Sequence, residues 1–348
     1  EISVTSEGWK KQFPALVRGA EELSLECEAA GVDYLEKTGR DSSYLIQAGE
    51  FLDAWGSEHE GQFRVLKKWT NDSDFSLSVK EMDPSRLAKK IFEKVHAAVL
   101  MSGTLHPLEM YATILGLPKE KTIMKFYASP FAKEKRLNIV FPGVTTKYST
   151  RTNESFDRIA DEAARAVNAI PGNSAVFFPS FYLLDAIGTR MEEKIPRPVL
   201  WQRENMPAHE MHALISTFRA HASGFGSVLM GCANGSLAEG LDFPGNQLLG
   251  VVIVGIPLGE INLETRALVN YYEGKFGNGW NYGYIFPAMG KALQAAGRVI
   301  RTPEDEGVVV FMDDRYLQAP YKNCFPPTMD YRVASAGTRE MIKDFWKK

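Results

Sequence analysis

From Ala97 onward, short apolar runs recur between stretches of helical periodicity, and this alternation limits the fold more than any other feature. The runs are "AAVLM" (97–101), "LNIVF" (137–141), "SAVFF" (174–178), "PVLW" (198–201), "SVLMGCA" (227–233), "LLGVVIVG" (248–255) and "GVVVFM" (307–312). They are apolar on successive residues, so strands built from them must be buried on both faces. Helices are expected over 153–170, 180–191, 208–221 and 287–301. In the first, Asn153 is the expected cap, and Phe156, Ile159, Ala160, Ala163, Val167 and Ile170 make one apolar stripe. Fully apolar strands joined by helix-length connections predict an α/β fold, a parallel sheet flanked by helices. Residues 1 to about 80 read differently: "FPALVRGAEELSLECEAAGVDYLEK" and "AGEFLDAWGSEHEGQFRVLKKW" have helical periodicity and no strong strand signal.

At 348 residues, about two domains are expected. The net charge of −3 gives no global basic signal, so any nucleic-acid surface must be local. Cys27, Cys232 and Cys324 are scattered, which argues against a disulfide framework or a cysteine metal site. No apolar run approaches membrane-spanning length, and the N-terminus has no signal-peptide core. An intracellular location is therefore expected, in cytoplasm or nucleoid, or in the nucleus of a eukaryote. A start on Glu1 rather than Met predicts a piece of a longer chain.

In α/β folds ligands bind at the carboxyl ends of strands, so the residues just after each run are the first candidates. These are "SGTLHP" (102–107), "PSFYLL" (179–184), "NGSLAEGLDFPG" (234–245) and "DDRY" (313–316), small, hydroxylated and acidic as a phosphate-handling cleft requires. "QAAGRVIR" (294–301) is the other candidate. If helical, it places Gln294, Arg298 and Arg301 on one face, because residues i, i+4 and i+7 stack at 3.6 residues per turn. From spacing alone that face could equally be a solvated one.

Taken in order, these segments resemble the second half of the iron–sulfur superfamily 2 DNA helicases, the XPD group, with DinG-type and FANCJ-type helicases as relatives. "VLMSGTLHPLEMY" (99–111) is similar to motif III, "AVFFPSFYLL" (175–184) to motif IV, "SLAEGLDFPG" (236–245) to motif V, and "QAAGRVIRTPEDEGVVVFMDDRY" (294–316) to motif VI with its following strand. The phosphate-binding loop, the magnesium-holding acids and the cluster cysteines of the group have no counterpart here. The resemblance therefore implies a C-terminal part of a helicase. Residues 1–85 would be the end of a helical arch, 86–125 the last strand region of the first motor domain, and 126–348 the second RecA-like motor domain.

The resemblance implies ATP-dependent, 5′-to-3′ DNA unwinding by the full protein, with this chain inactive alone. ATP and Mg2+ would be shared with the first motor domain, and a 4Fe-4S cluster would lie there too. Arg298 and Arg301 would act as arginine fingers with Gln294 beside them. Gly240, Asp242, Glu239, Ser102 and Thr104 would bind or sense the nucleotide, Asp242 bonding Arg298 or a nearby amide. DNA contacts would come from Ser180, Asn234, Ser236 and Arg315. Trp280, Tyr282 and Tyr284, in the aromatic and glycine-rich "NYYEGKFGNGWNYGYIFP" (270–287), would stack on bases. Expected partners are single-stranded DNA, the first motor domain and repair proteins, with a monomer and no membrane.

Bland readings stand beside several of these. Ser180 suits a helix N-cap, Asn234 a turn, Glu239 a structural acid, and the aromatics a packed loop. Arg315 is equally a structural partner of Asp313. His209, His212 and His221 lack metal-ligand spacing, and no metal site is expected. Two other functions remain: a DNA- or partner-binding module without turnover, and, more distantly, a Rossmann-like enzyme binding a dinucleotide or nucleotide sugar.

Overall fold

The computed structural model describes residues 2–3, 11, 14–57, 59–68, 75–235, 237 and 242–347. The chain divides into two compact units: residues 1–98, 112–118 and 261–279, and residues 99–111, 119–260 and 280–348. Its strands are β1 (Ile2–Ser3), β2 (Gln62–Lys68), β3 (Phe75–Glu81), β4 (Arg136–Phe141), β5 (Ser174–Phe178), β6 (Val199–Trp201), β7 (Val228–Cys232), β8 (Gly250–Val254), β9 (Gly307–Met312) and β10 (Arg332–Val333). Its helices are α1 (Pro14–Thr38), α2 (Tyr44–Gly56), α3 (Pro84–Phe92), α4 (Leu108–Ile114), α5 (Asn153–Asn168), α6 (Phe181–Glu192), α7 (Ala208–Ala220), α8 (Leu263–Phe276), α9 (Phe286–Ala296), α10 (Ala319–Lys322) and α11 (Arg339–Trp346).

The second unit is built on a seven-stranded parallel sheet, ordered β10-β4-β9-β8-β5-β7-β6. Side chains on a strand alternate between faces, and here both faces are covered. Ile139, Val176, Phe178, Met230, Val252 and Val310 pack with α5, α6 and α11. Their neighbours Val140, Ala175, Phe177, Leu229, Val251 and Phe311 pack with α7 and α9. That is why these strands are apolar at every position. Thr152, one residue earlier than expected, caps α5 in a capping box with Ser155.

Two expectations fail in this unit. "AAVLM" (97–101) forms no strand, and Val99 is 84% exposed. An apolar run becomes a strand only where a neighbour completes its hydrogen-bond ladder, and among the described residues no strand pairs with 97–101. The helix expected over 287–301 ends at Ala296, with Gly297 as its C-cap. Arg298 and Arg301 therefore lie in the connection to β9, not on a helical face with Gln294.

In the first unit, α1 and α2 pack closely, since a Cβ at Gly49 would lie 2.8 Å from the carbonyl oxygen of Ser24. The Ser24 hydroxyl donates to the Gly49 carbonyl at 2.8 Å. β1, before α1, and β2 and β3, after α2, form an antiparallel sheet where no strand was expected. Residues of β2 and β3 are mostly half-buried, so polar and apolar residues mix and the strand pattern in the sequence is weak. Lys275 of α8 donates to Asp83, the cap of α3, at 2.5 Å. Among the described residues, no helix is long and apolar enough to cross a membrane.

Candidate nucleotide and nucleic-acid sites

The candidate residues lie at two opposite edges of the parallel sheet. Residues that directly follow a strand are at the carboxyl edge, and the connection into β9 is at the amino edge. At the carboxyl edge, Ser180 caps α6, accepting from the Leu183 amide at 3.3 Å. Asn234, after β7, donates to the Pro179 carbonyl at 2.9 Å and accepts from Lys291 of α9 at 2.9 Å. Lys291 escaped the sequence reading, although it precedes Gln294 by one helical turn. It is the cation of this cluster, and among the described residues no carboxylate pairs with it.

Further along the same edge, Asp313 is fully buried. Burial would raise its pKa, but the Arg315 guanidinium, at 2.7 and 2.8 Å, and the Thr146 amide, at 2.9 Å, hold it below the usual carboxylate range. Arg315 also donates to the Thr146 hydroxyl at 2.9 Å. Its guanidinium is turned inward onto Asp313 and Thr146, the arrangement of the structural reading of Arg315. Gly255, at φ +70°, lets the edge close up, because a Cβ there would lie 2.2 Å from the Thr146 hydroxyl and 3.0 Å from the Pro179 ring.

At the amino edge, Arg298 is 4% exposed and Arg301 is exposed. Arg301, rather than Arg298, is the guanidinium that pairs with the Asp242 carboxylate, at 2.9 Å. The Phe243 amide also donates to that carboxylate, at 3.1 Å. The amides of Arg301 and Thr302 donate to Asp305 at 2.8 and 2.7 Å, fixing the connection. Burial works to raise the Asp305 carboxyl, yet these amides and that of Asn246 bring its pKa below the ordinary value. Gln294, on the last turns of α9, reaches the Thr104 hydroxyl at 3.4 Å, and Thr104 lies 3.3 Å from the Ser102 hydroxyl. Ser236, Glu239 and Gly240 lie outside the described residues.

The aromatic segment is helical rather than a loop: Asn281–Ile285 form a π-helical turn running into α9. Trp280 is 51% exposed and meets Tyr284 edge-on at 5.6 Å. The Tyr284 hydroxyl donates to the Gly259 carbonyl at 2.7 Å, and burial, then Tyr321, pushes its phenol up. Tyr282 is half-buried, 6.0 Å from the Phe286 ring. Of the three, Trp280 has the face most open to a ligand. Among the described residues, no group of three or more His, Cys, Asp or Glu side chains could hold a metal. The three cysteines are free, and the chain offers no ligand set for a 4Fe-4S cluster.

The helicase C-terminal domain family matches residues 163–331, the span that holds β5 to β9 and the Gln-x-x-Gly-Arg-x-x-Arg segment 294–301. More narrowly, the relatives the chain resembles are helicases of the XPD group. The chain is 27% identical over 250 residues to the XPD/RAD3 helicase subunit of general transcription and DNA repair factor IIH from Saccharomyces cerevisiae, covering 68% of this chain and 32% of that protein. A probable ATP-dependent helicase of Methanocaldococcus jannaschii is 31% identical over 231 residues, covering 62% of this chain and 34% of the other. A solved XPD helicase shares the fold, with a TM-score of 0.60 and 20% identity over 95% of this chain and 62% of that one. The chain thus spans about a third of the length of these curated relatives.

Proposed function

We propose that this chain provides the second motor half of an ATP-dependent, 5′-to-3′ DNA helicase, facing a nucleotide held by a first motor domain at the amino edge and single-stranded DNA at the carboxyl edge. The observation that carries the reading is the exposed Arg301 guanidinium, held on Asp242 at 2.9 Å in a connection fixed by Asp305. Phosphoryl transfer is mostly positioning and charge stabilisation, for which a planar, permanently charged guanidinium is suited. An exposed ion pair holds little energy, about 0–1 kcal/mol, so Arg301 can exchange Asp242 for a phosphate at small cost. Arg298, buried behind it, is assigned to supporting that connection. Gln294 and Thr104, in contact, would link motif III to the nucleotide.

α9 joins the two edges. Lys291 near its middle meets Asn234, and its end leads into the arginine connection. Movement of one edge would be transmitted along a single rigid helix to the other.

The test is phosphate release by this chain alone and with a first motor domain of an XPD relative added. The expected result is no hydrolysis alone, DNA-stimulated hydrolysis when combined, and a loss of about 100-fold or more for Arg301→Ala. A full rate in that variant removes the finger assignment. DNA binding with no turnover in the combined sample supports a binding module instead.

A further inference from the structure

We propose that Tyr148 and Arg151 form a base-stacking and phosphate-binding station for single-stranded nucleic acid, at the far end of the carboxyl edge from Asn234. The proposal rests on the DNA-facing role argued above and extends the track beyond Ser180. Tyr148, on a short turn after β4, is 86% exposed. Arg151 stands 5.4 Å from the centre of its ring and donates from Nε to the Thr146 carbonyl at 3.2 Å. One ring face is thereby supported by a guanidinium while the ring as a whole stays open to solvent, an arrangement that suits a stacked base.

The station is held rigidly. Its anchor, Thr146, is fixed through its amide and hydroxyl by the buried Asp313 and Arg315. It is also continuous with the other candidates. Gly255 brings Thr146 beside Pro179, whose carbonyl binds Asn234, which in turn accepts from Lys291. Beside the turn lies an open cavity of about 540 Å³ lined by Thr150, Thr152, Ser155, Arg158, Glu154 and Asp314, among others. Lys147, 3.6 Å from Asp314, offsets one of its two acids. Hydroxyls and Arg158 there suit a sugar–phosphate chain, and Arg151 suits a phosphate.

The test is anisotropy titration of this chain with a fluorescent oligothymidylate of about 15 nucleotides, long enough for one binding site. Tyr148→Ala is expected to weaken binding by about fivefold or more, while Tyr148→Phe keeps it within about twofold. Arg151→Gln is expected to weaken binding and to flatten the log K against log salt slope by about 0.7, the value for one lost phosphate contact. Because Tyr148 is exposed, the melting temperature of Tyr148→Ala should match that of the unaltered chain. Unchanged affinity in Tyr148→Ala overturns the station alone. If the unaltered chain binds no strand, the DNA-facing role falls and the station with it.

Discussion

Arg301 and Asp242 form an ion pair of 2.9 Å in which both side chains remain largely exposed, 41% and 63%. A pair so open to water adds at most about 1 kcal/mol to folding, because solvent screens it and two long side chains lose freedom. Asp242→Ala is therefore expected to shift the urea unfolding free energy by less than about 1 kcal/mol. If the pair instead aims Arg301 at a nucleotide, the same variant should lower kcat of the combined motor by about tenfold, since misplaced catalytic groups lose rate rather than stability. A large stability loss with an unchanged rate would make the pair structural.

Arg315 behaves in the opposite way. Its removal leaves the fully buried Asp313 without its guanidinium, and Arg315→Ala is expected to cost about 3–5 kcal/mol in urea unfolding. The pH dependence follows from the sign of the shift. Burial opposes ionisation of Asp313, yet Arg315 and its neighbours hold the folded pKa below the ordinary 3.8. The stabilisation is then fully present above about pH 4 and lost as pH falls through the folded value. Unfolding midpoints measured from pH 7 down to pH 2 should fall in that acid range, and the acid-range fall should shrink in the Arg315→Ala variant.

The apolar strands were legible because burial on two faces leaves no place for polar residues, as Val251 and Val252 on opposite faces of β8 illustrate. The helices between them were legible for the same reason, in stripes such as that of α5. What periodicity could not give is where a ladder finds its neighbour, so "AAVLM" was misread and β2 and β3 were missed. Nor could it place the end of α9. Gly297 stops the helix, which separates Gln294 from both arginines and sends them to the amino edge. Arg315 shows the same limit for a site: its sequence neighbours gave two equal readings, and only burial beside Asp313 and Thr146 decides between them. Lys291 was overlooked because its partner, Asn234, is distant in sequence.

Glu162 governs the C-terminal helix. Its buried carboxylate accepts from the Thr338 amide at 2.7 Å and the Thr338 hydroxyl at 2.8 Å, just before α11. Glu162→Ala leaves two buried donors unsatisfied, at a cost of about 1–3 kcal/mol. Hydrogen exchange should accelerate first in 338–346, where Ile342 packs on α5. Glu162→Gln keeps an acceptor oxygen and should lose less.

The cysteines give a readout of opening that needs no ligand. The thiolate is the reactive form, and burial pushes the Cys324 thiol up to about 12. At pH 8 only about one Cys324 in ten thousand is then ionised, and its sulfur is also buried, donating to the Pro320 carbonyl at 3.3 Å. Cys232 is buried as well, and burial raises its thiol more than the amides of Asn234 and Gly235 lower it. Cys27 is half-exposed. A chromogenic disulfide reagent at pH 8 is expected to modify Cys27 promptly in the folded chain, and Cys232 and Cys324 only as the second unit unfolds in urea. Because both slow thiols belong to the parallel-sheet unit, their modification should follow its unfolding transition. Prompt reaction of Cys324 without denaturant would mean that the packing of Phe325, Tyr316 and Phe311 around it opens locally.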